Sequence, residues 1–264
     1  MKRSRESFDG IAPQITEDGE LFTTIERRGT SSHGTVVVST RFWKHLLRID
    51  FNVRLDLPET KDKLCARVLF PFTGNGAEFT FDQNAGVATP DMLLPGSIQE
   101  LFFCSRFAML NAKAYSAVLC CPDAPCLEFG GKRLAEWNNR FPFKAENNHL
   151  HGLIYNNICN TDAPAWNHIR DDFNFSLFIS DSPVTIADAQ EMWESATALS
   201  ADFNSQANSS PCIGLPRDIR MHADEAGITW LENLTSEIHG YSFTLNSKTY
   251  SGVLAPYQIA RLDS

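Results

Sequence analysis

Side chains able to bind or to move protons are densest between Glu146 and Asp162, with NHLHGLIYNNICNTD within that stretch. His149 and His151 stand two apart, a spacing that puts both on one face of a strand. Paired imidazoles can hold zinc, but a catalytic zinc needs about three protein ligands and an open position. No third ligand is spaced with them, so their face reads as a hydrogen-bonded strand surface. Downstream, Asn156, Asn157, Asn160 and Asp162 lie between the aromatics Tyr155 and Trp166. Amides and a carboxylate beneath a stacking ring suit sugar hydroxyls. The same residues also build turns held by side-chain-to-backbone bonds. Candidate carbohydrate contacts are therefore His151, Asn156, Asn157, Asn160, Thr161, Asp162 and Trp166.

Other chemistries find less support. Glycoside hydrolysis usually needs two suitably placed carboxylates, and sequence alone pairs none of Glu100, Asp123, Glu128, Glu136, Asp162, Asp171 and Asp172. Fingerprints for a hydrolase serine elbow, a zinc-protease helix, a phosphate loop and a dinucleotide fold are all missing. The seven cysteines include Cys120, Cys121 and Cys126, which lack paired C-x2-C spacing and read as reduced, buried, apolar residues. No catalytic residue and no metal site is assigned to the chain.

Of the 264 residues, 32 are acidic and 23 basic, giving a net charge of −9. That balance argues against nucleic acid or an anionic membrane as the main partner. The polar start MKRSRESFDG is followed by no apolar stretch of signal-peptide type, and no run is long enough for a membrane helix, so the expected location is cytoplasmic. N-x-[ST] triplets begin at Asn174, Asn208 and Asn233.

The elements that must position these residues are mostly strands. Residues 1 to about 35 read as a ragged entry with one strand at Glu20 to Glu26. From Arg48 to Leu57 the sequence alternates strictly, with Ile49, Phe51, Val53, Leu55 and Leu57 on one face and Arg48, Asp50, Asn52, Arg54 and Asp56 on the other. Similar segments recur in 63–72, 78–82, 116–119, 150–155, 172–180, 241–245 and 251–255, punctuated by Gly, Pro, Asn and Asp. This grammar predicts an all-β fold of antiparallel sheets. One helix is expected from about Thr185 to Leu199, capped by Ser182 or Thr185. The expected division is a large sandwich over 1–200, a linker over 201–212 and a small β domain over 213–264.

Several segments, taken in order, resemble the β-rich C-terminal region of glycoside hydrolase family 38 α-mannosidases. RIDFNVRLDLPETKDKLCARVLFPF is similar to a strand pair that ends in Phe70, Pro71 and Phe72. A following segment keeps a Pro-Asp-Ala-Pro ending at Pro122 to Pro125, with Phe107 to Leu110 where the family often has Trp-Val-Asp. In GLIYNNICNTDAPAWNHIRDDFNFSLFIS, Asn156, Asn160, Thr161, Pro164, Trp166 and Phe175 occupy places matching the family's motif, and the run from Ala255 to Ile259 matches its closing order.

The resemblance implies a large antiparallel supersandwich of the galactose mutarotase type, a short helix and a small terminal sandwich. It also implies an accessory, structural role in a zinc-dependent α-mannosidase. In that family the zinc and the nucleophilic aspartate belong to an N-terminal α/β domain, so the zinc is expected in that absent domain and no cofactor in this chain. The implied partners are a mannose-containing glycan and the catalytic α/β domain, in cis or in trans. Two alternatives stay open. One is an autonomous sugar epimerase using His149 or His151 as acid and Glu128 or Glu146 as base; the other is a carbohydrate-binding module built on Trp166.

Overall fold

The computed structural model describes residues 8–74, 76–83, 86–92, 94, 97, 99–134, 143–158, 167–197, 214–223, 229–245 and 248–262. The first strands are β1 (Asp9–Gly10), β2 (Gln14–Asp18), β3 (Phe22–Ser31), β4 (Gly34–Trp43), β5 (Arg48–Leu57), β6 (Cys65–Phe70), β7 (Glu78–Gln83) and β8 (Gly86–Ala88). A short 3-10 turn at Pro90–Met92 precedes β9 (Phe102–Phe103), β10 (Phe107–Asn111), β11 (Ser116–Cys120), β12 (Cys126–Phe129), β13 (Leu150–Asn156) and β14 (Ile169–Ser180). The helix α1 (Ile186–Thr197) is followed by β15 (Ile219–Ala223), β16 (Thr229–Asn233), β17 (His239–Leu245), β18 (Lys248–Leu254) and β19 (Ile259–Arg261). The fold is all-β with antiparallel pairing, as the alternation predicts. Two compact units are distinguished, Met1–Phe81 with Thr89–Val184, and Asp82–Ala88 with Thr185–Ser264.

A ten-stranded sheet runs β1-β3-β4-β5-β14-β11-β10-β7-β8, with β2 also paired to β3; a four-stranded sheet runs β6-β13-β12-β9. The strand expected at Arg48 to Leu57 is β5, with Val53, Leu55 and Leu57 buried. The polar entry holds more structure than its composition suggested, because β2, β3 and β4 extend the large sheet. Every residue of β2 is exposed and most of β3 and β4 is only half-buried. Such strands need little apolar sequence, since backbone pairing and a solvated face suffice.

Phenylalanines join the two sheets in the first unit. Phe70 of the small sheet meets Phe51 and Phe175 of the large one edge-on, at 5.6 and 5.4 Å between ring centres. Phe129 lies 5.4 Å from both Phe79 and Phe81, and Phe102 packs on Phe81 and Phe129 at 5.4 and 4.8 Å. Edge-to-face and tilted contacts at these separations add to the effect of burial. Between the sheets β13 carries Gly152, whose position leaves a Cβ only 2.9 Å from Cε1 of Phe175.

The second unit has its own core, Ile219, Leu231, Phe243 and Leu254, between a three-stranded sheet (β15-β16-β19) and the β17-β18 hairpin. Asn233, 1% exposed, donates its amide to the carbonyls of Glu237 and Ala255 and accepts from the Thr235 N–H and hydroxyl. These bonds hold the corner where the strands change direction. α1 opens with a reciprocal cap, as expected for Thr185: the Asp188 N–H donates to the Thr185 hydroxyl at 3.2 Å, and the Thr185 N–H donates to the Asp188 carboxylate at 2.9 Å.

The Gly152–Phe175 contact makes a quantitative prediction. Gly152→Val should destabilise the chain by about 1–3 kcal/mol through overpacking, and adding Phe175→Leu should return part of that loss because contacting sites couple. Urea denaturation of the two single variants and the double variant measures both effects; additive losses would contradict the contact.

Candidate functional site

Two charged residues interrupt otherwise apolar strands, Arg67 in CARVLF and Glu128 in CLEF, and the register brings them to one face of the small sheet. Glu128 lies directly opposite His151, which in turn lies opposite Leu69; Arg67 is two residues before Leu69 on the same face. Glu128 is fully buried. One carboxylate oxygen accepts from the Arg67 Nε, and the other accepts from the backbone N–H groups of Arg133 and Leu134 at 2.5 and 2.6 Å. A carboxylate stripped of water is costly unless its lone pairs are met by donors. Here a guanidinium and two main-chain amides supply them.

The same bonds fasten the excursion between β12 and β13. Arg133 donates its Nε to the Phe129 carbonyl at 2.8 Å, donates an Nη2 hydrogen to the Lys144 carbonyl, and lies over the Phe143 ring at 4.3 Å. Gly130 adopts φ +66°, a conformation that favours glycine, and its N–H donates to the His149 carbonyl. Any Cβ there would stand 2.4 Å from that of Ala145.

His151 is 4% exposed. Burial pushes its imidazole down to about 4, against the opposing pull of Glu128. Near neutral pH it is therefore uncharged and has no proton of a general acid to give. His151 and Glu128, one pair offered by the epimerase alternative, are thus neighbours, yet His151 is deprotonated near neutral pH and both oxygens of Glu128 are occupied. Burial also raises the Cys65 thiol to about 11 and the Cys121 thiol to about 12, and it raises the Cys120 thiol strongly. These thiols are poor nucleophiles.

Zinc finds no ready set of ligands on this face. The rings of His149 and His151 are 6.2 Å apart, and Glu128 is committed to Arg67. Among the described residues no group of three or more His, Cys, Asp or Glu is placed to hold a metal ion.

Of the other sequence candidates, Asn157 is 3% exposed, accepts from the Leu64 N–H at 2.5 Å and donates to the Asp62 carbonyl at 2.8 Å, tying the segment before β6 to the end of β13. Asn156 accepts from the Ile158 N–H at 2.9 Å, a local turn bond. Asn160, Thr161, Asp162 and Trp166 lie outside the described residues.

A second polar surface covers the outer face of the large sheet, where the hydrophilic half of β5 meets that of β14. The Arg54 guanidinium contacts Asp172 at 3.1 Å, and Asn52 donates to Asn174 at 3.0 Å. Asn174 in turn donates to Asp123 at 2.8 Å, which places the Pro122 to Pro125 turn on this row. Asp50 accepts from Ser176 at 2.6 Å, Trp43 at 2.7 Å and Arg48 at 2.8 Å. Sequence reading identified the row on β5 but not its partners on β14, because those residues are more than a hundred positions away.

No protein-family model and no curated protein matches the sequence. Solved structures do match the fold. An α-mannosidase from Enterococcus faecalis V583 is similar over 95% of this chain, at 10% identity and a TM-score of 0.66. A protein in glycosyl hydrolase family 38 from Enterococcus faecalis is similar over 94% of the chain, at 11% identity and a TM-score of 0.65. This chain spans 35% of the length of each. A provisionally assigned aldose 1-epimerase from Escherichia coli K12 aligns over 64% of this chain and 69% of its own, at 10% identity; its TM-score of 0.35 carries no argument. What the likeness establishes is the fold: an antiparallel β architecture that also forms part of much longer family 38 proteins. Among the described residues, no helix is long and apolar enough to cross a membrane.

Two predictions follow from the buried cluster. Arg67→Met leaves the buried Glu128 carboxylate with only the Arg133 and Leu134 amides and should cost about 3–5 kcal/mol, while Arg67→Met with Glu128→Leu should recover part of it, short of the two amides it leaves without an acceptor; equal losses in both proteins, measured by chemical denaturation, would refute the pairing. His151 has a folded value below its unfolded one, so the unfolded chain binds the extra proton between about pH 6.5 and 4. Its contribution is complete above that window and lost as pH falls through it, on the order of 3 kcal/mol. His151→Gln should flatten the pH–stability curve there, and an unchanged curve would count against the buried neutral imidazole.

Proposed function

We propose that this chain is an accessory β region of a family 38-like α-mannosidase, one that stabilises or completes a retaining, zinc-dependent exo-mannosidase. The zinc and the nucleophile are supplied by a catalytic α/β domain, in cis or in trans. The observation that carries the reading is the fold likeness, which takes in nearly all of this chain but only about a third of each family 38 structure. The ordered segments Phe70–Phe72, Pro122–Pro125, Asn156–Trp166 and Ala255–Ile259 point the same way.

The chemistry of the described residues agrees with a supporting role. Glu128 is bonded to Arg67 and to the Arg133 and Leu134 amides, which secures the start of the backbone excursion, and the buried His151 is uncharged near neutral pH. On this reading the glycan, a mannose-containing one, is met by Asn156, Asn160, Thr161, Asp162 and Trp166 at the rim of a pocket whose reactive groups come from the other domain, and His151 and Asn157, being buried, are not among its contacts.

The test is hydrolysis of a chromogenic α-mannoside by the purified chain, with and without added zinc, beside a mixture with a family 38 catalytic α/β domain. The expected outcome is no turnover by the chain alone and a stable complex, with raised activity, in the mixture. Zinc-dependent turnover by the chain alone would overturn the proposal, as would failure to associate with or activate the catalytic domain.

A further inference from the structure

In the first unit, the inner face of the large sheet reaches farther than the small sheet covers. β6, an edge of the small sheet, lies over β5 and β14 through the contacts of Phe70 with Phe51 and Phe175. One step along the same face, Ile49 is half-buried and stands opposite both Phe42 of β4 and Leu177 of β14. Phe42 is 41% exposed, and Ile179, two residues past Leu177, is 39% exposed. Leu47, just before β5, is 73% exposed, and its carbonyl accepts from the Ile179 N–H at 3.0 Å. Phe42, Leu47, Ile49 and Ile179 thus form an apolar corner open to water, and all of residues 38–50 and 176–182 are described. Single exposed apolar residues are ordinary, but a contiguous group marks a contact surface.

Charge narrows what covers it. A net charge of −9 sets a second copy of this chain, or an anionic membrane, against electrostatic repulsion. At the margin Lys44 pairs with Asp18 at 2.8 Å, and Arg48 pairs with Asp50 at 2.8 Å on the opposite face, so neither cation is left over for a phosphate or a lipid headgroup. The fold of this chain accounts for 35% of each of the two longer solved structures, which leaves the larger part of such a protein to cover an apolar face. We propose that this corner is the surface by which the first unit docks on the catalytic α/β domain, through an apolar patch of that domain; the inference rests on the accessory role proposed above. Because β4, β5 and β14 are paired in register here, the surface is preformed and docking orders little new chain.

The test is hydroxyl-radical footprinting of the full chain, alone and mixed with a family 38 catalytic α/β domain, read by mass spectrometry at Phe42, Leu47 and Ile179. Mixing should lower labelling at these residues more than at exposed apolar residues elsewhere in the chain. Leu47→Asp, at an exposed position, should keep the fold and weaken the complex about tenfold or more. A complex that leaves these residues labelled as before overturns this inference while the accessory role stands; absence of any complex overturns both. Loss of labelling when the chain alone is concentrated, with a dimer seen in sedimentation, would overturn it in favour of a second copy. Footprinting of the unaltered chain gives the answer even if the variant fails to fold.

Discussion

Interlocking phenylalanine rings between the two sheets of the first unit are the interaction on which the rest of the structure depends. Phe70, Phe102 and Phe129 from the small sheet meet Phe51, Phe79, Phe81 and Phe175 from the large one at about ring-contact distance. Because strand side chains alternate, placing these rings inward sends their neighbours outward. The positions of Glu128, beside Leu127 and Phe129, and of Arg67, beside Val68, are thus consequences of the core. Gly152 makes the same point from the other direction, since a side chain there would strike Phe175.

The outer faces are then free to hold polar groups, and they do so in two ways. On the large sheet, Asp50, Asn52 and Arg54 find partners on β14 in a solvated row. Exposed pairs of this kind contribute little stability individually. On the small sheet Glu128 is covered by residues 130–134 and has lost all contact with water. The pair with Arg67 adds less to stability than a well-packed apolar pair would. What it does is hold the start of the β12–β13 excursion in one place, through bonds with direction.

This difference bears on function more than the presence of acid and imidazole side chains does. An acid and a base facing each other across a ladder look like catalytic machinery when only positions are considered. Burial withholds the proton from His151, and Arg67 with two amides occupies Glu128. The fold also forms part of much longer solved structures, and the Arg67–Glu128 pair on this face is turned to structural use.

By itself the sequence determined the fold class, about half of the strands and the cap of the helix, because those are set by local rules: a period of two, turn residues, and a Thr185–Asp188 spacing that closes a cap. β5 was legible residue for residue. The polar edge strand β2 was not, because an edge strand with solvated faces carries little hydrophobic signal. Only the tertiary structure decided which polar residues meet. Arg67 and Glu128 are 61 positions apart, and Asn52 and Asn174 are 122 apart. Local pattern says which way a side chain points; it says nothing of what stands opposite, since that depends on strand order and register across the whole sheet.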